Sequence, residues 1–308
     1  MPLVSVIMNV RNGSAYLREA LDCVLAQTFM DWELIVWDDC STDDSARIVA
    51  EYKDPRVRYF LAPEETHLGK ARDNAIRQAT GEWLAFLDQD DLWTPTKLEK
   101  QTVLADERTG IIYGRAVLMW PNGRKRDYDQ AHEFMPLPEG DIFRELFRSA
   151  CFIAMSSAML RRSAVHEVGG IPEWVEMAPD YYLYVAIARR YPARAVQEVV
   201  CWYRMHDANL WQESRSKLHQ EAIVMIDQCS NGLDPRIAVR RRRTHATSLA
   251  LEGMSRLATA GSGIRQLLRE GSVTWLMSRP FVHTFRALRR KMRRPLWQDR
   301  PRTSPGKV

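Results

Sequence analysis

Nowhere in the 308 residues do about 18 uncharged apolar residues run together, so no membrane-spanning helix is predicted. Any C-x-x-C pair is missing too. The five cysteines (Cys23, Cys40, Cys151, Cys201, Cys229) are odd in number and scattered, which excludes a disulfide framework or a cysteine-based zinc site and fits a reducing compartment. No basic segment followed by an apolar one opens the chain, because Met1-Pro2 leads straight into Leu3-Val4-Ser5-Val6-Ile7-Met8. A first strand is expected there rather than a signal peptide, and with it a cytoplasmic protein. Internal repeats and low-complexity tracts are also lacking. Acid is scarce in one region only: from Arg236 onward there are 3 Asp and Glu against 18 Lys and Arg, while the whole chain has 39 and 44. The tail is strongly basic and the body acidic.

What is present is the balance of a folded protein, since 45% hydrophobic and 27% charged residues exclude disorder throughout. The first ninety residues alternate strand-like and helix-like patterns, which predicts a mostly parallel sheet with crossover helices. Strands are expected at Leu3 to Asn9, Glu33 to Trp37, Val57 to Leu61 and Glu82 to Leu87. Helices are expected at Ser14 to Gln27 with Ser14 as cap, at Ser45 to Tyr52 with Ser41 as cap, and at Lys70 to Thr80. Beyond Trp93 the pattern predicts a helix from Lys97 to Asp106, strands over Ile111 to Trp120, Ile153 to Leu160 and Gln197 to Arg204, and helices over Ala164 to Gly169 and Asp180 to Arg190.

Two acidic clusters end predicted strands, where open parallel sheets gather their ligands. Asp88-Gln89-Asp90-Asp91 offers hard oxygen ligands of the kind that hold Mg²⁺ or Mn²⁺ against the phosphates of a nucleotide diphosphate. The same four residues also read as a turn or helix cap. Asp38-Asp39 can accept hydrogen bonds from a base N–H and a ribose hydroxyl, while Ser41 and Asp44 beside it read as caps of the next helix.

The stretch SVIMNVRNGSAYLREALDCVLAQTFMDWELIVWDDCSTDDS resembles the nucleotide-binding half of family 2 glycosyltransferases, which have the GT-A fold. GKARDNAIRQATGEWLAFLDQDDLWTPTKLEKQ resembles the segment that follows it there. SSAMLRRSAVHEVGGIPE, PDYYLYVAIARRYP and WYRMHDANLW resemble acceptor-side elements, so five ordered blocks cover roughly residues 3 to 211. The resemblance implies a metal-dependent, inverting enzyme that moves a sugar from a nucleotide-sugar donor to a hydroxyl of a glycan or lipid-linked acceptor. It places Asn9 and Arg11 in the first donor loop, Asp38 at the base and Arg72 near the diphosphate. Asp88 and Asp90 become the Asp-x-Asp pair, with Asp90 first as ligand to Mn²⁺ or Mg²⁺. Asp180 takes the place of the catalytic base, although as a residue opening a helix it also reads as an N-cap. Arg204 and His206 match an element that closes over the diphosphate, and His206 equally reads as a packed surface histidine. The sequence departs from the family at Asn9, at Arg11, at Asp73, where Asn is common, and at Pro179, where Glu is common.

The expected architecture is therefore α/β and GT-A-like over residues 1–210, with nucleotide-sugar binding in 1–105 and the acceptor side in 106–210. A helical, basic extension is expected over 211–308. Within it, Phe281, Phe285, Leu288 and Met292 recur at helical spacing among Arg286, Arg289, Arg290, Lys291, Arg293 and Arg294. That pattern suits peripheral attachment to an anionic membrane surface through residues 281–294, or packing on the chain's own domain. Nucleic acid is not expected beside an acidic body. A nucleotidyltransferase is an alternative, but it calls for a Gly-rich basic loop that Arg11-Asn12-Gly13 does not supply. A catalytically silent glycan-binding scaffold would have lost Asp88, Asp90 and Asp180.

Overall fold

In a computed structural model, residues 1–129, 135–148, 151–207, 215–231 and 234–259 are described. The amino-terminal half alternates β1 (Val4–Val10), α1 (Leu17–Leu25), β2 (Trp32–Asp38), α2 (Ser45–Glu51), β3 (Val57–Leu61), α3 (Leu68–Arg77) and β4 (Trp83–Phe86). The four strands pair in parallel in the order β3-β2-β1-β4. The apolar runs of β1, β2 and β4 follow from burial on both faces. Alternate residues Val4, Val6, Met8, Leu34, Val36, Trp83 and Ala85 join one core with Leu17, Leu21 and Ile48 of α1 and α2. Their neighbours Ile7, Ile35, Leu84 and Phe86 join a second core with Ala71, Ala75 and Ile76 of α3.

The second half adds β5 (Leu92–Trp93), α4 (Lys97–Thr102), β6 (Ile111–Met119), β7 (Lys125–Asp127), α5 (Phe143–Arg148), β8 (Met159–Arg161), α6 (Arg162–Glu167), α7 (Pro179–Ala188) and β9 (Ala193–Arg204). β8 pairs antiparallel with β4, and β6, β9 and β5 extend the same sheet. Because Leu92 of β5 opposes Trp202 of β9, the end of β9 is carried onto the loop that follows β4. The strand expected over Ile153 to Leu160 is instead a 3-10 turn at Met155–Ser157 followed by β8, since Ser156 and Ser157 turn their hydroxyls to buried backbone and side-chain partners. Helices α8 (Arg215–Cys229) and α9 (Pro235–Thr259) follow, and α8 packs on α7.

The chain falls into two compact units, Met1–Leu249 and Ala250–Val308. The tail segment 281–294, expected to attach to membranes or pack on its own domain, lies outside the described residues. Among those described, no helix is long and apolar enough to cross a membrane.

The expected caps are placed differently. Helix α1 starts after Tyr16 with no side-chain cap, while the Ser14 N–H donates to Asp43. Helix α2 starts after Asp44, and Ser41 instead accepts the Asn12 N–H. Both serines are drawn into the loop between β1 and α1.

A buried carboxylate ties the sheet to its crossover. Glu33 on β2 is 7% exposed and accepts hydrogen bonds from the Ser5 hydroxyl (2.7 Å), the Thr80 N–H (2.8 Å) and hydroxyl (2.7 Å), and Arg58 (2.6 Å). Burial pushes its pKa up, but the bonds from Thr80, Ser5 and Arg58 outweigh it, and the carboxyl titrates below its ordinary 4.5. A group depressed in the folded state stabilises fully above the unfolded value and loses that contribution as pH falls through the folded one. Replacing Glu33 by Gln is expected to lower stability by about 1–3 kcal/mol at pH 7. The gap between the two proteins should narrow below about pH 4.5. Urea midpoints from pH 7 to pH 3 check this, and a pH-independent gap contradicts it.

Candidate active site

The carboxyl ends of β1, β2 and β4 and the end of β9 meet at one edge of the sheet. β4 hands over to Leu87 and then to Asp88, Gln89, Asp90 and Asp91, which form a tight turn with the Asp91 N–H donating to the Asp88 carbonyl (3.1 Å). Three carboxylates in four residues repel one another, and the fold answers each with a different partner. Arg72, on the second turn of α3 and 4% exposed, donates to Asp88 Oδ1 at 2.5 Å. His206, just past β9, lies with Nε2 2.8 Å from Asp90 Oδ2. Asp91 is 1% exposed and accepts the Ser156 hydroxyl (2.5 Å) and the Arg204 backbone N–H (2.9 Å).

Burial pushes the Asp91 carboxyl well above its usual range, with Asp90 and Asp88 adding to the rise. Asp90 is raised for the same two reasons, burial and then the charge of Asp88, against the pull of His206. A site that holds carboxylates above their ordinary pKa attracts positive charge. Among the described residues no group of three or more His, Cys, Asp or Glu side chains is arranged to hold a metal ion. A cation here would rest on one or two carboxylates and on phosphate oxygens of a ligand, which is the usual way Mg²⁺ is held in nucleotide sites. Asp90 and Asp88 fit that description, whereas Asp91 is committed to Ser156 and Arg204.

The Arg204 guanidinium stacks 4.5 Å over the Tyr16 ring, donates to the Asp90 carbonyl (2.8 Å) and pairs with Glu19 (2.8 Å). Tyr16 also lies against the His206 ring, with centroids 5.0 Å apart. The first residues of α1 thus form a wall that seats both side chains of the Tyr-Arg-x-His element.

The donor loop after β1 is locked to the acidic turn through Gln89. Its Oε1 accepts the Arg11 N–H (2.8 Å) and its Nε2 donates to the Arg11 carbonyl (3.1 Å). Packing at this junction is close: a Cβ on Gly13 would stand 2.3 Å from Gln89 Oε1 and would push the Gln89 amide aside. The Arg11 side chain pairs with Glu65 at 2.5 Å and lies 3.8 Å from Asp39. Asn9, next to last in β1, has Oδ1 and Nδ2 both buried and neither hydrogen-bonded. Asp38 is 1% exposed, and its oxygens are taken by the Ser41 N–H (2.7 Å) and the Tyr59 hydroxyl (2.7 Å). Its neighbour Asp39 accepts from the N–H and hydroxyl of Thr66. The β2 turn is therefore shaped by both aspartates rather than presenting one free carboxylate.

Asp180 sits at the second position of α7, after Pro179, whose missing N–H costs nothing at a helix start. The N-cap is Ala178, with no side-chain cap bond. Asp180 is thus not the cap. Burial raises its pKa, Arg72 counters the rise and Asp88 adds to it, so Asp180 shares its electrostatic surroundings with the acidic turn. The family departure at Asp73 has a structural use: its carboxylate accepts the Ile171 N–H (3.1 Å) and pairs with Arg77 (2.8 Å).

The structure brings Arg72, Asp88, Asp90, Arg204 and His206 together around one turn, with Asn9, Arg11 and Asp38 on the adjoining strand ends. Sequence reasoning missed Ser156, Tyr16 and Gln89 as parts of this arrangement. Gln89 lay inside the acidic motif and carried a signal; Ser156 stood in a weakly patterned region and carried none.

Residues 5–169 match the sequence profile of glycosyl transferase family 2, more than half of the chain. The chain belongs to that family. It is similar to an uncharacterized glycosyltransferase of Rickettsia felis, 31% identical over 246 residues, 73% of this chain but 40% of that protein's length. It is also similar to the UDP-Glc:alpha-D-GlcNAc-diphosphoundecaprenol beta-1,3-glucosyltransferase WfgD of Escherichia coli, 26% identical over 75% of this chain and 88% of that protein. Among solved structures, the mannosyltransferase PcManGT from Pyrobaculum calidifontis in complex with GDP-Man and Mn²⁺ superposes with a TM-score of 0.58. That likeness covers 94% of this chain and 84% of the other at 21% identity, and it shows the shared GT-A fold.

The relay from the Asp88 N–H through the Ser156 hydroxyl to Asp91 runs from a part-buried bond to a buried one. Ser156→Ala removes the partner of the Asp88 N–H and of one Asp91 oxygen, and is expected to destabilise the chain by about 1–3 kcal/mol. A urea melt measures it; an unchanged midpoint would show the relay to be dispensable.

Proposed function

We propose that the chain transfers a sugar from a nucleotide-sugar donor to a hydroxyl of a glycan or lipid-linked acceptor, in the assembly of a surface polysaccharide or glycolipid, with inversion at the anomeric carbon and dependence on Mn²⁺ or Mg²⁺. The observation that carries this reading is the convergence of Asp88, Asp90, Arg72, Arg204 and His206 at the carboxyl edge of the sheet, within the electrostatic reach of the half-buried Asp180.

The residues divide by charge. Asn9, Arg11 and the turn shaped by Asp38 form the end that takes the nucleoside, where the unpaired Asn9 amide has hydrogen bonds left to give. Arg72 and Arg204 supply positive charge for the diphosphate as it leaves, and His206 stands beside them as a hydrogen-bonding ring. Asp90, then Asp88, would hold the cation. When bound, that cation neutralises the departing diphosphate. Support for it comes from the Asp90 carboxyl, raised by burial and then by the charge of Asp88, and from the Mn²⁺ named with the mannosyltransferase. Asp180 accepts the proton of the acceptor hydroxyl as its oxygen attacks the anomeric carbon. A carboxyl raised by burial is a stronger base than one in water, which suits it to that step. A lipid-linked acceptor would be met at the cytoplasmic face of a membrane.

Sugar transfer by the intact chain, with UDP-glucose, UDP-N-acetylglucosamine and GDP-mannose offered in turn, tests the assignment. Asp180→Asn is expected to slow turnover by on the order of 10²–10⁴-fold, the usual share of a positioned base. Asp90→Ala should remove about 10²–10³-fold, as the loss of one electrostatic stabiliser does. It should also abolish the thermal shift produced by UDP with Mn²⁺. Undiminished turnover in either variant removes that residue from its role.

A further inference from the structure

We propose that Glu221, on helix α8, is a positioning residue for Asp180; the inference rests on the reading of Asp180 as the base. The Glu221 side chain is 4% exposed, and its carboxylate faces the segment that leads into α7. Oε1 accepts the N–H groups of Glu176 (3.0 Å) and Met177 (2.9 Å). Oε2 accepts those of Met177 (3.0 Å) and Ala178 (3.0 Å). Three consecutive backbone donors are thus satisfied by one buried anion, placed at the positive end of the α7 dipole.

The same segment is pinned from its other side. The Gly69 N–H, at the start of α3, donates to the Glu176 carbonyl (3.1 Å). A Cβ at Gly69 would stand 1.8 Å from the Val175 carbonyl oxygen, so only glycine permits this approach. One turn before Glu221, Lys217 pairs with the Glu176 carboxylate. Helix α3 carries Arg72, which acts on both Asp88 and Asp180. The segment 175–178 is therefore held between the helix that bears the site's buried cation and a helix outside the part matched to the family.

The chemistry explains why this matters two residues on. An aspartate near a helix start is drawn to cap free N–H groups, and one that does so cannot face an acceptor hydroxyl. With Glu221 in place the donors of residues 176–178 are already occupied, and none of them is left for Asp180. Removing Glu221 frees three donors close before a half-buried carboxylate in the chain, and Asp180 turns back to them. Glu221 keeps the base from becoming a cap.

The test uses the full chain and Glu221→Gln, which keeps the shape but offers one oxygen where three donors need two. With whichever of UDP-glucose, UDP-N-acetylglucosamine or GDP-mannose the intact chain turns over, kcat is expected to fall by on the order of 10- to 100-fold, the cost of a misplaced group. Donor KM and the calorimetric affinity for UDP with Mn²⁺ should stay within about twofold, because the β1 and β2 loops are held independently of α8. Met225→Ala, at a fully buried α8 position, serves as control: it should lower Tm and leave kcat nearly unchanged. If Glu221→Gln does not fold, Lys217→Ala loosens the same segment and is read the same way. Retained kcat in the Glu221 variant, or an equal loss of kcat in Met225→Ala, overturns the proposal. An inactive Asp180→Asn with a fully active Glu221→Gln sinks this inference alone, whereas an active Asp180→Asn removes the reading beneath it.

Discussion

Three carboxylates crowded into the five residues after β4 are the constraint from which the rest of the site follows. Asp88, Asp90 and Asp91 cannot be buried side by side without partners, because each charge raises the cost of the next. The partners are Arg72 from α3, His206 and the Arg204 N–H from the end of β9, and the Ser156 hydroxyl from the 3-10 turn before β8. Elements far apart in sequence are thereby obliged to meet. The short β5 strand is what makes this meeting geometrically available, since its pairing with β9 delivers Arg204 and His206 to the turn. Even with those partners Asp90 and Asp91 remain above the ordinary carboxylate range, so the cluster retains an attraction for a cation.

The sheet beneath it is rigid for a plain reason. β1, β2 and β4 are buried on both faces, with two separate cores and helices on each side, so their carboxyl ends have little freedom to shift. Gln89 then couples the β1 loop to the acidic turn through two opposed hydrogen bonds to the Arg11 backbone. The residue between two metal-type aspartates is usually read as a spacer. Here it fixes the distance between the loop after β1 and the acidic turn.

The features legible in the sequence were those with short-range causes. The parallel strands announced themselves as apolar runs ending in acid, and Asp88, Asp90, Arg72, Arg204 and His206 were all placed at one site by their motifs. The caps were misjudged at Ser14 and Ser41 because a long-range partner outbid the local one: Asp43 takes the Ser14 N–H, and Ser41 accepts that of Asn12. The segment over residues 153–160 looked like a strand because it is apolar and buried, and burial alone does not separate a strand from a 3-10 turn. Asp38 illustrates a different limit. Its position at the strand end was readable, but the Tyr59 hydroxyl that occupies one of its oxygens comes from β3, and no pattern in the chain foretells that pairing. Glu221 was invisible for the same reason, being one acid among many on a helix of mixed character.

The buried guanidinium of Arg72 bears on how the two acidic functions relate. It pairs with Asp88 at 2.5 Å and also offsets the burial of Asp180, so a single cation acts on both carboxyls at once. The charge state of either carboxyl then alters the field felt by the other, and Asp88 already contributes to the rise at Asp180. A positive ligand drawn to the acidic turn would relieve the repulsion on Asp180 as well, and a negative ligand drawn to Arg72 would oppose that relief. The occupancy of the acidic turn and the basicity of Asp180 are therefore tied through one residue of α3. Gly69, three residues before it, brings that same helix against the segment leading into α7.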